Sequence, residues 1–341
     1  MRAAIYSPYL DTLGGGERYV LSAARALNEE GWSVFVESKD KEILSRAEER
    51  FGLPLKGVKV IDSVKRGDGY DLMFWLSDGS IPNLLARTNI LHFQRPFYDV
   101  DGKSLLSRMK FFRVAKVVVN SQFTKKFIDQ EYPKKSVVLY PPVDVKKMKP
   151  GPKENIILYV GRFSQLEQAK RQDVLLTAFK RFYDRMDKNW KLVLAGGSDV
   201  GRTGFVDDLK KEAKGYPVKI LENPPFKELK GLFAEAQIFW SASGFGIDEN
   251  KKPEKVEHFG IVVVEAMAAG LVPLIYNAGG HKEIIKEGQN GFLWQSQEEL
   301  VRETADIITD NQKLNLLVQN AKKEAKKYSY ENFKRNFLKL V

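Results

Sequence analysis

Along most of the chain, short runs of apolar, β-branched and aromatic residues alternate with longer stretches whose apolar positions recur every third or fourth residue. AAIYSP, WSVFVES, YDLMFWLS, TNILHF and KVVVNS are short runs that read as strands. ERYVLSAARALNEEG is the clearest amphipathic helix, and a glycine closes it. The pattern breaks at 146–153, where KKMKPGPK is polar and holds two prolines and a glycine, as a linker does. It then restarts. Strands NIILYVGRF, KLVLAGG, VKILEN, QIFWSAS and LVPLIY interleave with helices DVLLTAFKRFYDRM, FVDDLKKEAKG, FKELKGLFAEA and one around 263–269. Strands alternating with helices form parallel sheets covered on both faces. The expected fold is therefore α/β, with two tandem doubly wound Rossmann-like domains facing a cleft. The domains run over 1–149 and 150–325, and a terminal helix over 326–341 packs back on the first.

Between 259 and 276 the chain is apolar except for Glu265, long enough to suggest a membrane span. A carboxylate in mid-bilayer and Pro273 speak against that, so a buried helix followed by a buried strand is expected. The chain has no cysteine, which excludes disulfides, thiolate metal sites and a cysteine nucleophile. Its three histidines, His92, His258 and His281, are too few to suggest a histidine zinc site. The first residues show no apolar run of signal-peptide length, and the expectation is a cytoplasmic chain. The net charge of +11 is concentrated: residues 87–150 carry 14 Lys and Arg against 5 Asp and Glu. Such a face attracts phosphates or an anionic membrane.

Three loops carry candidate chemistry. In DTLGGGER the glycines let backbone approach a ligand at a helix start, where amides and dipole favour phosphate; a tight turn explains the loop almost as well. It matches neither the dinucleotide fingerprint nor the phosphate loop. In VGRFSQLEQAKRQDVLL, Arg162 stands at a strand end, and Lys170 and Arg171 stand just before the next helix, cations suited to a diphosphate. In EHFGIVVVE, Glu257 precedes a helix start near Gly260, and Glu265 lies about one turn in. The amides of Phe259, Gly260 and Ile261 are helix-start donors for a phosphate, and the two carboxylates suit sugar hydroxyls. With Val262, Val263, Val264 and Met267 as neighbours, Glu265 reads as a buried carboxylate that needs a polar partner.

EHFGIVVVE resembles the E-x7-E motif of retaining glycosyltransferases of family 4, which have the two-domain GT-B fold. GGGER, NSQFT, LYPPVD, VGRF and NAGGHKEII occur in that family's order, so the resemblance covers most of the chain. It looks most like mannosyltransferases that extend lipid-linked oligosaccharides and their archaeal and bacterial relatives. The resemblance implies catalytic roles for His92, Glu257, Arg162 and Lys170. His92 would lie near the donor sugar, Glu257 on its hydroxyls, and Arg162 and Lys170 on the leaving diphosphate. It implies donor contacts from Gly15, Gly16, Phe259, Gly260, Ile261 and Glu265, the last to the ribose. It implies a GDP- or UDP-linked sugar as donor, a glycan or lipid-linked acceptor, and no metal or other cofactor. Departures from the pattern are the extra residues SQLEQA, which leave Lys170 and Arg171 both eligible for the diphosphate, and Ser241 where relatives often have histidine. The segment GFGIDENKKPEKV over 244–256 is charged and reads as a surface loop or lid.

GKSLLSRMKFFRVAKVVV, 102–119, mixes basic and apolar residues. It reads either as an interfacial helix touching anionic lipid, peripheral at the inner membrane face, or as an ordinary core helix with a basic outer face. Asp99-Val100-Asp101 spells a metal motif of another glycosyltransferase fold but sits in a polar loop, and reads as surface. Two competing readings remain: a nicotinamide-dependent oxidoreductase, which the absent fingerprint disfavours, and a basic non-catalytic binding protein. Nucleic acid is not an expected partner, since a nucleic-acid binder leaves Glu257 and Glu265 without purpose.

Overall fold

The computed structural model describes residues 1–165, 168–198 and 204–341. The chain divides into two compact units, residues 1–142 with 330–341, and residues 143–329. The polar stretch at 146–153 thus lies inside the second unit. There the ammonium of Lys153 donates to the carbonyls of Ala236 and Ala269, both at 2.8 Å. Burial lowers its pKa to about 8, aided by Lys322.

The first unit has strands β1 (Arg2–Tyr6), β2 (Ser33–Glu37), β3 (Lys59–Ile61), β4 (Leu72–Leu76), β5 (Thr88–Phe93), β6 (Lys116–Val119) and β7 (Ser136–Val138). Helices α1 (Gly15–Glu29), α2 (Ile43–Phe51), α3 (Leu105–Phe111) and α4 (Gln122–Glu131) connect them. The sheet is parallel, ordered β3-β2-β1-β4-β5-β6-β7. Both faces are buried, so side chains alternate between two apolar clusters. Ala3, Ile5, Leu72, Phe74 and Ile90 lie with α1 and α2, and Ala4, Met73, Leu91 and Phe93 lie on the other face.

The second unit has β8 (Glu154–Val160), β9 (Lys191–Gly196), β10 (Val218–Glu222), β11 (Ala236–Ser241), β12 (Val272–Tyr276) and β13 (Phe292–Trp294). Its helices are α5 (Gln172–Arg185), α6 (Phe205–Glu212), α7 (Phe226–Glu235), α8 (Ile261–Ala268), α9 (Gln297–Thr309) and α10 (Asn311–Ala325). The sheet is parallel in the order β10-β9-β8-β11-β12-β13, so the winding reverses between β8 and β11. The apolar run at 259–276 is α8 and β12, parted at Gly270 with φ +81°. No helix among the described residues is long and apolar enough to cross a membrane.

The terminal helix α11 (Tyr330–Leu338) completes the first unit's core. Phe333 packs edge-on to Tyr19 and Phe337 edge-on to Phe74, and Lys334 pairs with Glu29 at 2.9 Å. In 102–119 the helix is only α3, and Lys116 already belongs to β6. Its apolar side faces outward. Leu105, Leu106, Met109 and Phe112 are 62–92% exposed, and within α3 only Phe111 is buried, which removes the core-helix reading. The loop before α3 wraps the Glu131 carboxylate, which accepts from the amides of Asp99, Val100 and Gly102. Asp99 and Asp101 lie exposed there, as expected of a surface loop.

Candidate functional site

The carboxyl ends of β8 and β11 gather most of the predicted residues. After β8 the chain turns sharply across its own Tyr159. A side chain at Gly161 would begin 2.1 Å from the Tyr159 hydroxyl, and one at Gly196 would meet the Gly161 carbonyl at 2.0 Å. Glycine is obligatory at both by close approach. Arg162 follows, its carbonyl held at 2.9 Å by the amide of buried Gln172 at the start of α5. Of the extra residues at 164–169, Leu166 and Glu167 lie outside the described residues.

Lys170 and Arg171 diverge. The Lys170 ammonium donates to Glu257 Oε2 at 2.7 Å, with the two side chains 11% and 22% exposed. Arg171, in the left-handed region at φ +53°, turns away. It binds the Asp173 carboxylate and donates to the Phe245 carbonyl at 3.1 Å. Burial raises the pKa of Glu257, but the Lys170 charge and hydrogen bond outweigh it and bring it down to about 2. Glu257 is therefore a carboxylate at neutral pH. Burial also raises the pKa of Tyr159; the Glu257 charge adds to this, while Ser243 and Arg162 oppose it.

The backbone of 257–259 rests on a glycine pair. Gly280 N–H donates to the Glu257 carbonyl at 2.6 Å. A side chain at Gly279 would meet the Glu257 carbonyl at 2.2 Å, and one at Gly280 the His258 carbonyl at 1.9 Å. Gly260, at φ +93°, then caps α8 without a side-chain hydrogen bond, which leaves the helix's positive end beside Glu257. Phe259 is buried against Tyr328. Glu265 is half-buried rather than buried. It shares the open face of α8 with Ile261 and Val262, while Val263, Val264 and Met267 face the core. Helical spacing corrects the sequence expectation, because its neighbours' burial does not extend to the opposite face. Ser241 is buried.

The first unit holds Gly15, Gly16 and His92. Gly14 caps α1, and the buried Glu17 carboxylate accepts from Gly14 N–H at 2.9 Å and the Thr12 hydroxyl at 3.0 Å. Gln94, after β5, donates to the Gly16 carbonyl at 2.8 Å, and a side chain at Gly16 would begin 2.0 Å from its amide oxygen. His92 is fully buried. Strand alternation turns it under α1, where it stacks on Tyr19 at 4.2 Å with Nδ1 3.1 Å from the Val118 carbonyl. Burial lowers its pKa to about 3, with the Val118 contact opposing weakly. The imidazole is neutral at neutral pH and has no exposed surface for a sugar to meet.

Sequence reasoning missed Tyr159, Ser243 and Glu249. No local pattern marks them; Tyr159 stands near the end of β8, and Ser243 and Glu249 join the site through a loop that meets it only in the fold. Among the described residues, no group of three or more His, Asp or Glu is arranged to hold a metal ion.

The family model described as glycosyl transferases group 1 matches residues 143–324, the second unit almost entire. The chain is 29% identical over 250 residues to the GDP-Man:Man(3)GlcNAc(2)-PP-Dol alpha-1,2-mannosyltransferase of Dictyostelium discoideum, covering 66% of this chain and 46% of that one. It spans about half the length of such curated relatives. An uncharacterised glycosyltransferase of Methanocaldococcus jannaschii is 25% identical over 81% of this chain and 76% of its own. Among solved structures, Anabaena HepE in complex with UDP and glucose superposes with a TM-score of 0.77 at 19% identity, covering 99% and 98% of the two chains. The fold is thus that of the GT-B glycosyltransferases.

Proposed function

The chain belongs to the group 1 glycosyl transferases, and on that premise we propose that it moves a hexose of the mannose or glucose type from a GDP- or UDP-linked donor to a glycan or lipid-linked acceptor. The observation that carries the reading is the Lys170–Glu257 pair at 2.7 Å beside the amino end of α8, within the family-matched residues. The donor's β-phosphate takes the place of Glu257 as partner of Lys170, with Arg162 as second cation, and Glu257 turns to the sugar hydroxyls. Amides at Phe259, Gly260 and Ile261 supply the dipole end, and Glu265 on the open face of α8 accepts from the ribose. Gly15 and Gly16 bring backbone close to donor and acceptor.

In the proposed reaction the bond from the anomeric carbon to the phosphate oxygen breaks and a bond to the acceptor oxygen forms on the same face. The acceptor proton passes to the leaving phosphate. Cations fixed before the reaction stabilise that leaving charge without reorganisation, and the proposal needs no metal. His92, sealed from solvent, is assigned to packing beneath α1 rather than to the transfer. The experiment is thermal unfolding with UDP, GDP, ADP, CDP, TDP and NAD, each with EDTA. Stabilisation by one nucleoside diphosphate supports the site and names the base; stabilisation by NAD alone sinks the reading. Glu265→Gln weakens that nucleotide by about 1.5–3 kcal/mol, the scale of a charge-assisted hydrogen bond.

A lipid-linked acceptor fits a second feature. Leu105, Leu106, Met109 and Phe112 present an apolar face flanked by exposed Lys103 and Arg108, suited to peripheral contact with an anionic bilayer. Wild type sediments with anionic vesicles at low salt, and a Leu105→Ser, Phe112→Ser double variant does not. Equal sedimentation of the two removes this part.

A further inference from the structure

The charged segment at 244–256 is fastened at both flanks of the Lys170–Glu257 pair. On one side the Phe245 carbonyl accepts from Arg171 at 3.1 Å, next in sequence to Lys170, and the Phe245 ring packs on Tyr276 and Trp294 at 5.1 and 5.7 Å. On the other side lies Glu249. Its Oε2 accepts from Gly279 N–H and its Oε1 from the Lys282 ammonium, both at 2.5 Å. Val256, the last residue of the segment, is fully buried against Gly244 and Gly279. The segment is therefore tied down rather than a free lid.

Gly279 is one residue from the backbone seat of Glu257. Gly280 N–H donates to the Glu257 carbonyl, and the two backbones are too close for a methyl between them. Close-packed backbone transmits displacement instead of absorbing it. Resting on the glycosyltransferase reading above, we infer that Glu249 is a positioning residue of the donor site: by holding Gly279 it sets the height of the Glu257 backbone, and so where the Glu257 carboxylate meets the sugar. The hydrogen bond to Gly279 carries this role, and the ion pair with Lys282 does not. In the reading above Glu257 meets the sugar while Glu265, one turn into α8, meets the ribose, so the effect falls on the sugar end of the donor.

The test is calorimetry with the nucleoside diphosphate that stabilises wild type and with its hexose conjugate, on wild type, Glu249→Ala, Glu249→Gln and Lys282→Met, with melting temperatures in parallel. Glu249→Ala weakens the conjugate at least fivefold while changing the bare diphosphate less than twofold. Glu249→Gln, which keeps an acceptor for Gly279, and Lys282→Met stay within twofold of wild type on both ligands. Three results overturn the inference: Glu249→Ala binding both ligands as wild type does, losing both equally with a lowered melting temperature, or being matched in its defect by Glu249→Gln. If wild type binds neither ligand, the glycosyltransferase reading of the site fails first and this inference with it.

Discussion

Counted from its first strand, each sheet runs third, second, first, fourth and onward, yet the strand ends carry different chemistry. At the β1–β4 reversal of the first unit, neutral hydrogen bonds and ring stacking hold loop to helix, with one carboxylate turned inward on its own helix start. Glu17 closes on Gly14 and Thr12, Gln94 on Gly16, and His92 is stacked in the core. At the β8–β11 reversal of the second, charged groups meet across loops, with Lys170 on Glu257 beside a helix end that lacks a side-chain cap. One topology thus supports an end held by local hydrogen bonds and stacking and an end held by an ion pair between distant loops. The difference lies in loop residues, as function on shared folds generally does.

The sharpest break in that comparison is steric. Gly280→Ala sets a methyl 1.9 Å from the His258 carbonyl, a backbone atom that cannot move without moving Glu257. The expected cost is about 3 kcal/mol with weakened binding of the nucleotide sugar, read by denaturant unfolding and calorimetry. A variant as stable as wild type shows that the glycine seat is slack. Next is Lys170→Met, which strands the Glu257 carboxylate. Because the pair keeps some solvent contact, the cost is about 2 kcal/mol, below that of a fully buried pair. The folded pKa of Glu257, about 2, lies below its ordinary 4.5. Its stabilising contribution is therefore complete above about pH 4.5 and fades as pH falls toward 2. Lys170→Met removes this acid-side loss, and an unchanged profile contradicts the pairing.

Gly16→Ala tests the first unit with nearly the same overlap, 2.0 Å, but against the end of the Gln94 side chain. Gln94 swings aside and one hydrogen bond is lost, about 1 kcal/mol. A cost equal to that of Gly280→Ala erases the contrast between the two ends. At neutral pH the smallest effect is that of His92→Phe, which separates from wild type only in acid. His92 titrates near 3 when folded and near 6.5 when unfolded. The unfolded chain takes the proton first, so stability falls as pH drops from about 6.5 toward 3. His92→Phe lowers that slope by about one proton between pH 6 and 4. An identical slope places the imidazole in solvent and returns it to the candidates for catalysis.

Much of this was legible before the fold. The alternation of apolar runs and amphipathic stretches marked the longer strands and helices, and EHFGIVVVE marked Glu257 and the helix start at Gly260, whereas the seating of Glu257 on Gly279 and Gly280 was not legible. Short elements such as β3, β7 and β13 were not legible, because three residues hold too little periodicity to stand out. Lys153 sat in a stretch that read as linker, and only the fold brings its ammonium to the carbonyls of Ala236 and Ala269.

The sequence by itself determined the α/β class, the doubly wound pattern and the family, because periodicity and short glycine motifs are local properties of a chain. Tertiary structure alone decided which of two adjacent cations faces Glu257, that His92 lies beneath α1, that Glu265 stands on the open face of α8, that α3 turns its apolar side outward, and that Glu249 holds Gly279. Each of those depends on which residues distant in sequence meet, and on side-chain directions that composition and spacing do not fix.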